Sequence, residues 1–214
     1  MKKLLFWMVL IVGIVALLGS CAKKEESTTA AASTSVTSTT ASGSITVGSE
    51  TLSGVYVSPC NTSAFAAAAG SAFFPSDVLS GRTAIVVTGN TALTEEYLMY
   101  TDSSCSTLSA SYKNVRDNVT VGVASGSYYL VTYGTSYFKV TAHTAVAQDN
   151  LTAGLIANIS DIDLTTLGTE FSSTGSSSAY KNVWSVTSTT YQQGEELDNG
   201  TQPTAMDSMV MTKE

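Results

Sequence analysis

The chain has 214 residues, of which 43% are hydrophobic and only 13% are charged, and its formal net charge is −7. Residues 45–214 hold six of the ten basic residues and 15 of the 17 acidic ones, a formal charge of −9. Because an acidic domain is repelled by the phosphate backbone of nucleic acids, we expect no nucleic-acid partner. It also excludes attraction to anionic lipid headgroups as a means of membrane attachment.

The first 20 residues have the pattern of a signal peptide. Lys2 and Lys3 precede an uninterrupted run of 15 apolar residues and glycine at 4–18. A helix that spans a bilayer needs about 20 apolar residues, whereas the apolar part of a signal peptide needs only about 7–15. Residues 1–20 are therefore predicted to be a signal peptide.

Small residues and a cysteine follow this run. The stretch Leu18-Gly19-Ser20-Cys21 resembles the lipobox of bacterial lipoproteins. The resemblance implies that Cys21 receives a diacylglyceryl group, that the chain is cut before it, and that the new N-terminus is acylated. Two or three acyl chains anchor a protein stably, because each buried methylene adds about 0.8 kcal/mol. The alternative is an uncleaved N-terminal anchor in which Cys21 has no role.

The lipobox resemblance also implies a location in the cell envelope. Ala22 stands where an aspartate favours retention in the inner membrane of well-studied Gram-negative bacteria. We therefore expect the outer membrane, with the protein facing the periplasm or the cell surface.

Residues 21–44 are predicted to be the lipidated cysteine and a disordered tether. Within 27–44, 12 of 18 residues are Ser or Thr, and none is aromatic or charged. Such a segment buries too little apolar surface to offset the entropy of ordering. A β-strand is the alternative, but apolar residues do not alternate along the segment. The remaining 170 residues, 45–214, suit a single domain with its own core.

The pattern beyond residue 45 predicts an all-β domain. Turn signals separate alternating apolar and polar runs about every 8–12 residues, which is typical of an antiparallel up-and-down barrel or a sandwich. Strands are expected in 53–60, 83–102, 108–123, 127–134, 137–147, 178–193 and 206–214. Alternation places Val55 and Val57 on one face of the first of these strands and Tyr56 on the other, and it places Val146 on the apolar face of the strand at 137–147. The expected turns include Gly89-Asn90 as a two-residue turn, Asp117-Asn118, Ser125–Ser127 and Gly134–Ser136.

Two stretches break the β-pattern and predict short helical insertions. The alanine-rich segment 64–70 ends in a glycine that would stop a helix, and 149–175 alternates poorly. Phe65, Phe73 and Phe74 near the first of these stretches are interpreted either as a lid or as side chains that close one end of a barrel.

Two cysteines remain after Cys21, and they predict a disulfide. Beyond the inner membrane, paired cysteines tend to oxidise. A Cys60–Cys105 bridge would close a loop of about 45 residues and add roughly 4 kcal/mol by the chain-entropy estimate. The alternative is two free buried thiols.

Three motifs in 53–214 resemble a group of small bacterial lipoproteins. They are GVYVSPC at 54–60, YTDSSC at 100–105 and PTAMDSMVMTKE at 203–214. The group is lipocalin-like, which implies an up-and-down β-barrel with one disulfide near its start. This chain departs from the group in its alanine-rich loop 61–81 and in the length of 149–175. The resemblance implies no particular activity or ligand.

The sequence offers no catalytic constellation. The single histidine, His143, falls on the polar face of a predicted strand, where it is expected to be solvent-exposed. A Ser-x-x-Lys pattern at Ser178 and Lys181 lacks the companion motifs of the enzymes that use it. There is no nucleophile elbow and no phosphate-binding loop, so we expect no catalytic residues, no cofactor and no enzyme.

Metal sites are expected to be absent as well. Asp161 and Asp163 begin like a calcium loop, but Thr165 and Thr166 replace the ligand and the glycine that an EF-hand requires. The carboxylates of 195–200 are interpreted as a solvated turn.

These observations favour a membrane-anchored envelope lipoprotein with a non-enzymatic structural or interaction role. The alternative is a carrier that holds a small hydrophobic ligand inside a lipocalin-like barrel, since an eight-stranded barrel encloses one small molecule at most. A hydrolase that uses dispersed carboxylates is a third hypothesis. The candidate partners are therefore the membrane, through Cys21, and a hydrophobic ligand, an envelope protein or a glycan.

Overall fold

The computed structural model of the chain describes residues 36–71, 73–153, 164–174, 179–195 and 201–214. The signal peptide, Cys21 and the tether as far as residue 35 lie outside the described residues, so those assignments stay predictions. The strands are β1 (Ile45–Val47), β2 (Glu50–Leu52), β3 (Val55–Val57), β4 (Ser80–Val87), β5 (Leu93–Tyr100), β6 (Leu108–Ser125), β7 (Tyr128–Ala142), β8 (Glu170–Thr174), β9 (Tyr180–Val186), β10 (Thr190–Gln193) and β11 (Met211–Lys213). The helices are α1 (Ser63–Ala68) and α2 (Ala145–Leu151).

Eight of the strands form a closed antiparallel barrel in the order β3-β4-β5-β6-β7-β9-β10-β11. The barrel closes because β11 pairs with β3 and β6 pairs with β7. β8 lies beside β9 along the same edge of β7, where it pairs with the second half of that strand. Each barrel strand thus neighbours the strands before and after it, and the predicted up-and-down barrel is confirmed.

Alternation along the strands decides which side chains fill the barrel. On β3, Tyr56 points inward, while Val55 and Val57 lie on the outer face, as the sequence predicts. Inward-facing residues form two apolar clusters, one at each end of the barrel. The first includes the α1 and α2 side chains and the second includes the β1–β2 hairpin, so an added element covers each end.

Both short helices lie at one end of the barrel. The predicted helix near 64–70 is present as α1, and Gly70 after it has a φ of 81°. Phe65 of α1 is buried with Phe73 and Phe74, so these rings pack into the core rather than standing open. Neither helix in the described ranges is long and apolar enough to cross a bilayer.

The strand predicted at 137–147 is too long. It ends at Ala142, and α2 begins at Ala145 because the Thr144 side chain accepts a hydrogen bond from the Ala147 N–H at 3.0 Å. Such an N-cap satisfies a free amide of the first helical turn. Val146, which the alternation places on the apolar face of that strand, lies on α2 instead and is 41% exposed.

Two predicted turns are wrong, because the chain passes straight through them. Asp117-Asn118 lies within β6, and residues 134–136 lie within β7. Asn118 has a φ of 51°, and the pairing of β6 with β7 shifts register on either side of Asp117. These residues form bulges, which bend long strands around a barrel. The turn-forming residues at these two places therefore bend the strands and do not reverse the chain. The predicted turn at 125–127 is present, with Gly126 at a φ of 65°.

The hairpin predicted around Gly89-Asn90 is confirmed, but its turn is longer than two residues. The last paired residues are Val87 and Leu93, and the Thr88 N–H donates to the Ala92 carbonyl at 3.1 Å. Asn90 does not adopt a positive φ. Its side-chain Oδ1 accepts a hydrogen bond from the Ser44 N–H at 3.3 Å.

Residues 36–44, at the end of the predicted tether, lie on the outer wall of the barrel. The Ser42 N–H donates to the Val87 carbonyl at 2.8 Å, and the Lys113 ammonium donates to Ser38 Oγ at 3.1 Å. Thr37 is buried, and Val36 packs against the outer faces of β3–β5. These backbone and apolar contacts oppose the entropy cost of ordering residues 36–44, a cost that the composition of the segment does not reveal how to meet.

Candidate functional site

The predicted disulfide is present. Cys60 and Cys105 form a bond with a sulfur–sulfur distance of 2.02 Å and a Cα–Cα distance of 5.9 Å. Cys60 follows β3, and Cys105 lies in the loop between β5 and β6. The bridge therefore joins the end of β3 to the loop that follows β5, two strands away in the barrel.

Asp102 organises the loop that carries Cys105. One carboxylate oxygen accepts hydrogen bonds from the Ser104 hydroxyl at 2.5 Å and from the Ser104 N–H at 2.8 Å, and the other accepts from the Thr107 N–H at 2.6 Å. The Ser104 hydroxyl, followed by the Thr107 and Ser106 donors, holds the pKa of Asp102 well below its usual range. Cys105 itself has a φ of 55°, a conformation that the loop must impose on a residue other than glycine.

Acid is expected to weaken this loop. The pKa of Asp102 is lower in the folded chain than its ordinary value of about 3.9, so the ionised carboxylate stabilises the fold above about pH 4. That stability is lost as the pH falls through the folded-state pKa. Asp102→Asn is expected to lower the melting temperature at neutral pH and to flatten its fall below about pH 4. Circular dichroism melts would measure this, with the exposed Asp149→Asn as control. An unchanged acid dependence in Asp102→Asn would contradict the assignment.

The barrel interior contains a buried ion pair that the sequence pattern does not predict. Arg116 on β6 places Nη2 2.8 Å from Glu95 Oε2 on β5. Glu95 is 3% exposed and Arg116 is 5% exposed, so both charges lie out of contact with solvent. Buried charges of this kind persist only when they are paired and hydrogen-bonded.

One side chain from the opposite wall and one from β5 itself complete the partners of Glu95. Gln193 Nε2 on β10 donates to Glu95 Oε1 at 3.0 Å, and the Tyr97 hydroxyl donates to the same oxygen at 3.0 Å. The Tyr191 hydroxyl in turn donates to Gln193 Oε1 at 3.0 Å. β5 and β10 are four places apart in the ring of eight strands. The hydrogen bond between Gln193 and Glu95 therefore spans the barrel.

Arg116 is held on its other sides by a hydroxyl and two rings. Its Nη1 donates to Thr135 Oγ1 at 2.6 Å. The guanidinium carbon lies 5.0 Å from the centre of the Tyr133 ring and 5.6 Å from that of Tyr180. Aromatic faces attract a desolvated cation, so this packing adds to the ion pair. We call these eight residues the polar layer: Glu95, Tyr97, Arg116, Tyr133, Thr135, Tyr180, Tyr191 and Gln193.

The polar layer lies where the two apolar clusters meet, and its tyrosines belong to them: Tyr97 to the first, and Tyr133, Tyr180 and Tyr191 to the second. At one end of the barrel, Phe65 and Phe74 meet edge to face, with ring centres 5.8 Å apart. At the other end, Trp184 packs against Tyr191 with ring centres 5.5 Å apart, near the β1–β2 hairpin. Among the inward polar atoms of the described residues, Trp184 Nε1 and Thr83 Oγ1 are buried without a hydrogen-bond partner there.

A second charged cluster lies on the outer wall. Lys113 Nζ lies 2.8 Å from Glu170 Oε2 and 3.9 Å from Glu96 Oε1, and Lys139 Nζ lies 2.8 Å from Glu170 Oε1. Burial opposes ionisation of Glu170, but the hydrogen bonds from Lys113 and Lys139 lower its pKa overall. Lys113 thereby joins β8, β5 and, through Ser38, the segment 36–44.

His143 is half-buried rather than fully exposed. Its Nε2 lies 3.4 Å from Ser111 Oγ, and burial, followed by the charge of Lys113, lowers the pKa of the ring. None of the described carboxylates contacts the imidazole, so the triad geometry of a serine hydrolase is not assembled around it in these residues.

The remaining predicted site residues are dispersed or lie outside the described ranges. Ser178, Asp161 and Asp163 fall outside them, as does most of the acidic turn at 195–200. Lys181 is exposed on β9. Among the described residues, no group of three histidine, cysteine, aspartate or glutamate side chains could hold a metal ion.

No known family model matches this chain, and no curated protein matches it closely enough to count as a relative.

Proposed function

We propose that this protein is an envelope lipoprotein whose barrel is a non-enzymatic structural or interaction domain. In this account the signal peptide is removed, Cys21 carries the lipid, and a lipocalin-like barrel is held near the membrane surface. The support for the anchor comes from the sequence pattern of residues 1–21, and the support for the role of the barrel comes from its interior.

The observation that carries this proposal is the hydrogen bond between Gln193 and Glu95 across the barrel. An eight-stranded barrel is just wide enough either to be filled by its own side chains or to hold one small ligand. Here the middle of the barrel contains an ion pair whose carboxylate and guanidinium are already bonded to the protein. A ligand at that level would have to break these contacts, which favours recognition by the outer surface.

One observation favours a carrier of a small hydrophobic ligand as the second candidate. Trp184 Nε1 and Thr83 Oγ1 face the interior and have no hydrogen-bond partner in the part of the chain that the structure describes, whereas buried donors of this kind usually have one. A ligand that offers hydrogen-bond acceptors at either end of the barrel would satisfy them.

The anchor is tested by labelling the full chain with a radioactive fatty acid in a bacterial host. The parent chain is expected to incorporate label and to fractionate with membranes. Cys21→Ala is expected to incorporate none, because the thiol that accepts the lipid is gone. Ala22→Ser, which keeps the cysteine, serves as the matched control and should label like the parent. Equal labelling of Cys21→Ala would refute the lipoprotein assignment.

A further inference from the structure

The strand β6 extends well beyond its neighbour β5. β6 has 18 residues and β5 has eight, and the last pair between them joins Leu93 to Arg116. Beyond Arg116, the edge of β6 that faces away from β7 makes one backbone hydrogen bond to another described residue, from the Val119 N–H to the Thr91 carbonyl at 2.9 Å. In the described parts of the chain, no strand pairs with this edge from residue 120 to residue 125.

An open groove runs beside this edge. It has a volume of about 520 Å³ and lies between the segment that enters β1 and the exposed part of β6. Ser44, Ile45 and Thr46 line one side, and Val119, Thr120 and Val121 line the other. The groove gives the backbone of an additional strand access to the unpaired amides and carbonyls of β6.

The hairpin formed by residues 118–134 lacks the residue types that commonly protect an unpaired strand edge. Residues 118–134 contain no charged residue and no proline, although the domain around them is acidic. Natural edge strands are commonly protected by lysine, proline or bulges, and only bulges are found along this edge. Val123, at the bulge between Val121 and Ala124, is 72% exposed, the most of any large hydrophobic side chain described.

We propose that this edge of β6 pairs antiparallel with the same edge of a second copy of the chain. Two copies of a domain with a formal charge of −9 repel each other over most of their surface, but residues 118–134 meet without like charges. An antiparallel pair of identical edges is related by a two-fold axis, so the contact closes as a dimer and does not propagate. The exposed Val123 side chains are buried in the process.

This inference rests on the proposed interaction role, and it deepens that role by naming the surface and the partner. A lipid anchor would confine copies to one membrane surface and raise their effective concentration. The contact itself does not require the anchor, so the two claims fail separately.

Single cysteines along the edge test the pairing. Thr120→Cys, Gly122→Cys, Val123→Cys and Ala124→Cys are each introduced into the full chain, extracted in detergent and oxidised mildly. The Cα atoms of two cysteines that face each other at the two-fold axis of an antiparallel pair are about 4.5–5.5 Å apart, a distance at which a disulfide forms. One position, or two adjacent positions, is expected to give a covalent dimer on a non-reducing gel, and Ser188→Cys, on the exposed turn after β9, is expected to give none.

A second variant measures assembly without a cross-link. The parent chain in detergent is expected to sediment as a dimer, and Val123→Lys as a monomer, because each copy then brings an ammonium group into a contact that otherwise holds no like charges. Ser188→Lys should sediment like the parent. A monomeric parent, or a cross-link from these positions to a different protein, would overturn the proposal. Fatty-acid labelling of Cys21 would be unaffected by that result.

Discussion

Replacing Arg116 with methionine is expected to lower the free energy of unfolding by about 3–5 kcal/mol. Methionine keeps most of the volume of the side chain, but it leaves the carboxylate of Glu95 buried without its counter-charge. Urea unfolding followed by tryptophan fluorescence would measure the loss, since Trp184 packs among the aromatic side chains next to the polar layer.

Two further variants separate the lost charge from the lost packing. Glu95→Gln combined with Arg116→Met removes both charges, and it is expected to cost less than Arg116→Met alone, because no uncompensated charge remains. Lys181→Met on the exposed face of β9 removes a positive charge outside the barrel and should change stability by less than about 0.5 kcal/mol. If Arg116→Met proved as mild as Lys181→Met, the ion pair of Glu95 and Arg116 would not be buried in the barrel interior.

Replacing both Cys60 and Cys105 with serine is expected to lower the free energy of unfolding by about 4 kcal/mol. The expectation follows from the loop that the disulfide closes, since the two cysteines are 45 residues apart. Changing both residues avoids leaving a free thiol that could form other bonds.

The matched comparison for the disulfide is the parent chain under reducing conditions. The reduced parent and the double-serine variant are expected to unfold at similar urea concentrations, and reductant should not affect the variant. A loss below about 1 kcal/mol in both would indicate that native contacts alone hold Cys60 beside the loop of Cys105.

Local patterns were enough to predict the barrel and its disulfide. Alternation around Tyr56 placed alternate side chains on opposite faces of β3, and the same rule separates interior from exterior in the longer strands. The cysteine count and the expected compartment pointed to Cys60 and Cys105. These features depend on residues close in sequence or on counts, so the sequence alone carries them.

The bulges were not predicted because the residue types that favour turns also occur in bulges. Asn118 adopts the positive φ that its residue type tolerates, but in the middle of β6 it adds curvature to a strand that continues for seven more residues. Only the pairing partner distinguishes a bulge from a turn, and β7 lies beyond the reach of local pattern. The N-cap at Thr144 was a visible local signal that the apolar alternation through Val146 concealed.

The polar layer was missed because its members come from five strands. Glu95 lies between Thr94 and Glu96 in a run that composition reads as a half-exposed strand, and nothing local shows that Gln193 will reach it. The adjacent pair Glu95-Glu96 did hold a signal, because neighbouring residues of a strand face opposite sides and one of the two must point into the barrel.

Native mass spectrometry of the protein extracted from membranes would examine the anchor and the filled barrel together. We expect a polypeptide that starts at Cys21 and carries covalent acyl groups, with no further small molecule bound inside the barrel. A stoichiometric hydrophobic adduct, released by organic extraction, would contradict the filled barrel and make the carrier hypothesis the better one. A mass that begins before Cys21 and lacks acyl groups would contradict the anchor.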